Sequence, residues 1–243
     1  MPLIEFDKPL LSGRLVRRYK RFLADVVLEA SNRPLTVHVP NSGSMASCSE
    51  PGSEVLLSRS EKPTRKLPLT LELVRVAEGP NGWAGVNTML PNRLVAAAVA
   101  ENLVPELAGY RSMRREVGYE PGSRIDLLLE DNGLGKAWVE IKNVTLVEDG
   151  VACFPDAVTV RGRKHLEVLK RIALEGQRAV IFFLLQRPDG DYLCPADHID
   201  RAYGESLREA VCSGVEVMAY RSLLSPEGAS LAGPVTFKPR RET

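Results

Sequence analysis

Cysteine is scarce in this chain and is poorly placed for the roles it usually has. Four cysteines occur among 243 residues, at Cys48, Cys153, Cys194 and Cys212. They lie far apart, with no C-x-x-C pair and no histidine at the spacing of a zinc ligand. This pattern supports neither a zinc site nor a disulfide framework. We therefore expect isolated cysteines that act as small core residues.

Long apolar runs are also missing. The longest are LVAAAVA (94–100) and AVIFFLL (179–185), far short of the roughly 20 apolar residues that cross a bilayer as a helix. The N-terminus, MPLIEFDKPLLSGR, lacks the basic start and apolar middle of a secretory signal peptide. We therefore predict a cytoplasmic protein with no membrane contact.

The chain has no large excess of charge of either sign. Its 32 basic and 31 acidic residues leave a net charge of +1. A global balance still allows local segregation, so the clusters carry the information about partners. With 44% apolar residues, the chain is long enough to bury a sizeable core, as two small domains or one large one.

Short strand-like runs separated by turn residues occupy the chain up to about residue 85. They include GRLVRRYKRFLADVVLE (13–29), LTVHVPN (35–41), SEVLLSRS (53–60) and PLTLELVRVAE (68–78). About five short strands at this spacing are typical of a small antiparallel barrel or sandwich. We predict an OB-like nucleic-acid-binding β-barrel over residues 1–85.

The pattern changes at the alanine-rich stretch PNRLVAAAVAENL, which predicts a helix from about residue 91. Strand patterns follow at 113–120, 123–130 and 137–147, then a helix at 161–176, a strand at 178–187, a helix at 200–214 and a strand at 215–220. This order predicts a mixed sheet flanked by helices over residues 86–243 and an α/β (α+β overall) protein. The tail after Leu224 has loop chemistry and is expected to wrap or fray.

A hairpin pattern lies around EDNGLGK, where Asn132, Gly133 and Gly135 suit a turn. A register symmetric about Gly133 places Leu127 opposite Val139 and Ile125 opposite Ile141 on one apolar face. The same register places Asp126 opposite Glu140, with Lys142 on their face, because alternate residues of a strand point the same way.

Two opposed carboxylates destabilise a sheet unless a positive charge lies between them. Carboxylate, carbonyl and water oxygens suit Mg²⁺ or Mn²⁺, so Asp126 and Glu140 are candidate metal ligands. Lys142 beside the metal could orient or deprotonate an attacking water. The alternative is a solvated sheet face, with Glu140 paired to Lys142 and Asp126 to Arg124, since E-x-K by itself is a weak signal.

The order helix, three strands, helix, strand, with an acid before E-x-K, resembles the PD-(D/E)XK nuclease fold. The resemblance implies that Asp126 and Glu140 bind the metal and that Lys142 is the catalytic lysine. Pro155 and Asp156 spell a literal PD, but they follow E-x-K and are interpreted as a chance match. Glu116 is the preferred third acid of the site, and Glu101 is an alternative. An equally weighted interpretation is that Glu116 faces solvent and pairs with Arg114 or Arg115.

Basic residues are clustered around aromatic ones in RRYKRF, and two further basic clusters occur at 62–66 and 161–165. These clusters favour DNA binding, with phosphate contacts and base stacking, although a charged strand edge would also explain the first cluster. His165 could also contact phosphate, but an exposed helical histidine is the commoner case. The predicted nucleic-acid contacts are Arg17, Arg18, Tyr19, Lys20, Arg21, Arg65, Lys66, Arg161, Arg163 and Lys164.

Several stretches together resemble the sugar fermentation stimulation protein family. They include RYKRFLADV (18–26), HVPNSGSM (38–45), VNTMLPN (86–92), VEIKNVTL (139–146) and FPDAVTVRGRKHLEVL (154–169). The resemblance implies an OB-like domain, a nuclease-like domain, non-specific DNA binding and a role in regulating sugar (maltose) metabolism. Gly118 departs from the expected pattern, where we expect a lysine.

Two functions follow from the sequence. In the first, the chain binds single- or double-stranded DNA without sequence preference and cleaves it as a Mg²⁺-dependent deoxyribonuclease. In the second, it is a non-catalytic DNA-binding regulator of sugar fermentation genes. Homodimerisation is an additional expectation, based on nuclease folds of this kind.

Overall fold

The computed structural model of the protein describes residues 1–30, 33–79, 81–120 and 123–241. The helices are α1 (Leu90–Ala100), α2 (Val160–Leu174) and α3 (Arg201–Cys212), with a short 3-10 turn at Pro105–Leu107. The strands are β1 (Ile4–Glu5), β2 (Leu11–Tyr19), β3 (Leu23–Leu28), β4 (Pro34–His38), β5 (Glu54–Arg59), β6 (Leu69–Arg75), β7 (Trp83–Gly85), β8 (Ser112–Glu120), β9 (Ser123–Asp131), β10 (Gly135–Val144), β11 (Leu146–Glu148), β12 (Val151–Phe154), β13 (Arg178–Leu185), β14 (Tyr192–Pro195), β15 (Glu216–Ser225), β16 (Gly228–Pro234) and β17 (Thr236–Phe237).

Strands β2 to β6 form a closed barrel. They pair in the order β4-β3-β2-β5-β6, and a parallel contact between His38 of β4 and Thr70 of β6 closes the ring. Inward-facing residues such as Ala24, Val26 and Val37 are fully buried, so the barrel has its own apolar core. The barrel confirms the predicted OB-like fold, a five-stranded Greek-key arrangement.

The run GRLVRRYKRFLADVVLE, read from the sequence as one strand, is a hairpin of β2 and β3. Lys20, Arg21 and Phe22 form its turn, in which Lys20 and Arg21 have φ values of 47° and 63°. Three-residue hairpin loops commonly contain a residue in the left-handed region. The basic cluster is therefore divided between a strand and a turn, and its side chains do not share one face.

The second half of the chain forms a mixed sheet with the order β1-β16-β15-β13-β10-β9-β8. Helix α1 packs with the apolar cluster on one face, and α2 and α3 pack on the other. Strand β13 is buried almost throughout because both faces are covered, which explains its continuous apolar sequence. The predicted mixed sheet flanked by helices is confirmed.

Sequence patterns missed several short strands. Strands β11, β12, β14 and β17 form a small second sheet, and β16 pairs with β15. The tail therefore continues the sheet, whereas we expected it to wrap or fray. Strand β1 pairs with β16, so the first residues join the sheet of the second half. The predicted boundary between residues 85 and 86 stays a prediction. Among the described residues, no helix is long and apolar enough to cross a membrane.

Candidate metal and nucleic-acid site

A cleft of about 490 Å³ lies where the barrel meets the mixed sheet. The start of α1 and the start of α2 border it, together with the middle of β10 and the barrel loop at residues 41–43. We call it the carboxylate cleft. Residues central to its chemistry are Arg21, Asn92, Asp126, Glu140, Lys142, Asp156, Arg161 and His165.

The predicted hairpin register is confirmed over five pairs, from Gly135 opposite Asp131 to Val139 opposite Leu127. The predicted pairs Ile125–Ile141 and Asp126–Glu140 are not part of this ladder within the described residues. Instead, the Asp126 carboxylate accepts hydrogen bonds from the Ile141 backbone N–H and from Asn92 Nδ2, both at 2.7 Å. Asp126 thus reaches the cleft by bridging β10 and α1.

Ile125 also departs from the predicted face. It packs in the apolar cluster under α2 and α3, whereas Leu127 packs in the cluster under α1. The alternation is interrupted at Asp126, which takes a side-chain hydrogen bond where the ladder would continue. The prediction that the side chains of β9 alternate strictly between the two faces of the sheet was therefore wrong at Ile125.

Glu140 is buried beside two basic side chains. It is 2% exposed, and Lys142 Nζ donates to its Oε1 at 2.6 Å. His165 Nδ1 contacts the same oxygen and lies 3.1 Å from Lys142 Nζ. The other oxygen, Oε2, is buried and has no hydrogen-bond partner among the described residues. A buried carboxylate oxygen without a partner is costly, so a ligand at Oε2 would stabilise this arrangement.

The two carboxylates interact electrostatically. Burial and the negative charge of Glu140 raise the pKa of Asp126 to about 6. Burial also acts to raise the pKa of Glu140, but Lys142 and His165 outweigh it and the pKa is lowered. Glu140 therefore stays ionised beside an Asp126 whose ionisation is opposed. A divalent cation would relieve that opposition, so the donor set fits a hard metal such as Mg²⁺ or Mn²⁺.

His165 is largely buried, with its side chain 13% exposed, whereas an exposed helical histidine was the commoner expectation. Its contact with phosphate stays a prediction. Arg161 Nε donates a hydrogen bond to His165 Nε2 at 3.3 Å. Because arginine only donates, Nε2 accepts and Nδ1 carries the proton toward Glu140. The sequence signal was the basic start of α2, but the partner Glu140 lies 25 residues away.

The predicted third acid lies outside this cluster. Glu116 is a half-exposed side chain at 52%, 4.0 Å from Arg124 and 3.5 Å from the Asn92 amide. Its backbone has φ 53°, which is unusual for a strand residue. Glu101 follows the last turn of α1, at the opposite end from Asn92. Across the described ranges, no group of three or more His, Cys, Asp and Glu residues is arranged to hold a metal. The role of Glu116 stays a prediction.

Of the ten predicted nucleic-acid contacts, Arg21 and Arg161 line the carboxylate cleft in the part of the chain that the structure describes. Arg17 pairs with Asp25 at 2.8 Å and lies over the Tyr19 ring, whose hydroxyl also contacts Asp25. Arg18 donates to backbone carbonyls of the barrel loop, including that of Gly43 at 2.8 Å. These three side chains are occupied within the barrel.

The other predicted contacts lie at varied positions. Arg65 donates to Thr70 Oγ1 at 2.8 Å and is half-buried. Lys20, Lys66 and Lys164 are exposed, and Arg163 is intermediate in burial. Their contact with nucleic acid stays a prediction.

Two helices begin at the cleft. Pro91 and Asn92 of α1 line it, as do Thr159 and the first residues of α2. Thr159 caps α2 by accepting a hydrogen bond from the Gly162 N–H at 3.0 Å. Helix N-termini carry partial positive charge and favour anions. The cleft thus combines acidic groups for a cation with basic groups and helix dipoles for a phosphate.

An OB barrel followed by a mixed sheet that carries an acid and an E-x-K strand defines a two-domain protein with a nuclease-like second domain. Family models agree: residues 16–86 match the SfsA N-terminal OB domain and residues 89–228 match the sugar fermentation stimulation protein RE domain. The chain belongs to the sugar fermentation stimulation protein family, which confirms the resemblance seen in the sequence.

Curated relatives support this assignment. The chain is 60% identical over 219 residues to a sugar fermentation stimulation protein homolog of Pelobacter propionicus, covering 90% of this chain and 93% of that one. It is 56% identical to the homolog of Geobacter sulfurreducens, covering 90% and 92%. Pyrococcus furiosus SfsA, solved in complex with Ca²⁺, is similar with a TM-score of 0.86 and 29% identity, over 98% of this chain and 99% of that one.

Proposed function

We propose that this chain is a non-sequence-specific DNA-binding protein whose carboxylate cleft hydrolyses phosphodiester bonds with Mg²⁺ or Mn²⁺. The observation that carries the proposal is the buried Glu140 carboxylate, which has Lys142 at 2.6 Å and an Oε2 without a hydrogen-bond partner among the described residues. A second acid, Asp126, lies close enough that burial and the charge of Glu140 together raise the pKa of Asp126. The Ca²⁺ complex of the Pyrococcus relative supports it, because Ca²⁺ and Mg²⁺ both prefer oxygen ligands.

Asp126 and Glu140 would hold the cation. A bound divalent cation supplies Lewis acidity and lowers the pKa of a bound water. Asn92 and the Ile141 N–H orient the Asp126 carboxylate, and His165 orients that of Glu140. The Lys142 ammonium lies at the same carboxylate, where it can stabilise negative charge on a phosphate or exchange a proton with water.

DNA binding would use backbone contacts. Arg21 and Arg161 border the cleft, and the starts of α1 and α2 favour a phosphate between them. Phosphate contacts carry no base information, so binding would be independent of sequence and weaken steeply with salt. Lys20, Lys66 and Lys164 are exposed and could extend the contact.

A second candidate is a non-catalytic DNA-binding regulator of sugar (maltose) metabolism. The contact that favours this candidate is the ion pair between Lys142 and Glu140, because Lys142 neutralises the Glu140 charge without a metal. His165 contacts the same carboxylate. The connection to sugar metabolism rests on the family.

One experiment separates the two candidates. Labelled single- and double-stranded DNA is incubated with Mg²⁺ or Mn²⁺ and the wild type, Glu140→Gln, Lys142→Met or the control Glu167→Gln, an exposed acid of α2. We expect the first two variants to lose cleavage by at least about 100-fold, the range for a lost acid–base group, and the control to cleave normally. Wild type that binds every DNA and cleaves none would leave the regulator as the function.

A further inference from the structure

The two charged side chains at the base of the carboxylate cleft are buried. Glu140 and Lys142 at its base are 2% and 9% exposed. One wall comes from the barrel, with Arg21 and the loop at residues 41–43, and the other from residues 155–162 before and in α2. The volume of about 490 Å³ is that of a small-molecule pocket.

The two walls touch each other directly. Beside the cleft, the Met45 N–H donates to Asp156 Oδ2 at 3.0 Å. A Cβ added to Gly43 would lie 2.4 Å from both carboxylate oxygens of Asp156, so only glycine allows this approach. Asp156, the acid of the PD match that the sequence reading set aside, therefore sets the distance between the walls.

Further contacts hold the barrel wall rigid. Arg18 Nη2 donates to the carbonyls of Arg21, Asn41 and Gly43 at 2.7, 2.9 and 2.8 Å. Between the barrel and the second half of the chain, the buried Arg187 donates to the Ser47 carbonyl at 2.6 Å. Buried and charge-assisted contacts of this kind resist a hinge motion of one wall against the other.

Rigid walls limit which nucleic acid reaches the carboxylates. A duplex is stiff, with a persistence length of about 50 nm, and it presents a convex surface. Its phosphates would have to approach Glu140 and Lys142, which are 2% and 9% exposed, from above the surface. A single strand bends freely and follows a basic groove.

Apolar side chains stand at the mouth of the cleft. Val158 and Val160 line the α2 wall and are 68% and 57% exposed. Phe22, next to Arg21 in the β2–β3 turn, is 46% exposed. Proteins pack unpaired bases against aromatic and apolar side chains, so these exposed groups suit the faces of unpaired bases.

We infer that the carboxylate cleft accepts single-stranded DNA and excludes continuous duplex. The inference rests on the proposed function, since it names the substrate class of the same site. An unpaired strand would enter between the walls with its phosphate toward Lys142, and its bases would pack at the mouth against Val158 and Val160.

Binding in EDTA tests the inference apart from cleavage. Fluorescence anisotropy compares a labelled single strand, a blunt duplex of the same sequence and that duplex with a single-stranded tail. We expect the single strand and the tailed duplex to bind at least about tenfold more tightly than the blunt duplex, as expected if one or two bases pack on the protein. Equal affinity for the blunt duplex would overturn the inference.

A variant pair locates the binding. Val160→Asp places an acid at the first turn of α2, where acids stabilise helices, so folding is retained. We expect it to weaken single-strand binding about tenfold, through lost base packing and repulsion of phosphate. Val211→Asp, on an exposed position of α3, is the control and should bind normally. Unchanged binding by Val160→Asp would place the strand elsewhere and refute the inference.

Cleavage assays separate this inference from the proposed function. Cleavage of blunt duplex as fast as single strand would retain the nuclease and refute the strand selection. No cleavage of any DNA with Mg²⁺ or Mn²⁺, together with the strand preference in EDTA, would remove the nuclease and support the selection.

Discussion

Asp126 is an acid that the fold holds at a cost to stability. Its pKa lies at about 6, against an ordinary value of 3.8, because burial and Glu140 both oppose its charge. The folded protein therefore binds this proton more tightly than the unfolded chain, and its stability falls as pH rises from 3.8 to about 6. At about 1.4 kcal/mol per pKa unit, the ionised Asp126 costs about 3 kcal/mol at neutral pH.

Asp126→Asn removes the charge and keeps an oxygen that can accept from Ile141 or Asn92. Without divalent metal, we expect the variant to be more stable than the wild type by about 1 to 3 kcal/mol at about pH 8. For a chain of this length the melting temperature should rise by roughly 3 to 10 °C. The gain should shrink as pH falls through about 6 and disappear below the ordinary pKa of 3.8.

Urea unfolding in EDTA across this pH range measures the difference. Asp131→Asn is the control with the opposite sign, because hydrogen bonds from Gly133 and Leu134 lower the pKa of Asp131. It should lose stability above the ordinary pKa of Asp131 and not gain it. An Asp126→Asn variant less stable than wild type at high pH, or a difference that does not change with pH, would refute the reasoning.

Metal should reverse the order of stability. A ligand at 100 times its Kd stabilises the folded state by about 2.7 kcal/mol. Mg²⁺ or Mn²⁺ should give this gain to the wild type and little of it to Asp126→Asn, which lacks one of the two carboxylates. The same urea titration with metal measures the effect, and equal gains for both proteins would show that Asp126 is not a ligand.

Two further predictions concern neighbouring side chains. His165→Ala should weaken Mn²⁺ binding about 10- to 100-fold, because the Glu140 carboxylate loses an orienting donor, and His165→Asn should recover part of the affinity. Electron paramagnetic resonance of free Mn²⁺ measures the affinity of both variants. An unchanged affinity would contradict the role of the contact between His165 and Glu140. Arg18→Met should lower the free energy of unfolding by about 1 to 3 kcal/mol, since the carbonyls of Arg21, Asn41 and Gly43 lose a charged donor. The control Arg17→Met removes an exposed ion pair and should change the free energy of unfolding little. Equal effects of the two substitutions would contradict the structural role of Arg18.

Local chemistry explains which parts of the site could be predicted. The β9–β10 hairpin followed from its turn residues, and the register over Leu127 and Val139 from the alternation beside them. The same alternation failed at Asp126, because its side chain takes the Ile141 N–H that a ladder would use. The short strands β11, β12, β14 and β17 were missed because each carries too few residues to show a period.

The sequence by itself determined the OB barrel, the mixed sheet with its helices and the presence of Asp126, Glu140 and Lys142 on one hairpin, because turn residues and apolar periodicity act over a few neighbouring positions. Only the tertiary structure decided that His165 contacts Glu140, that Arg18 serves the barrel loop and that Asp156 meets Gly43. These contacts join residues 25 to 113 positions apart, and no local pattern records which distant partner will occupy a charged side chain.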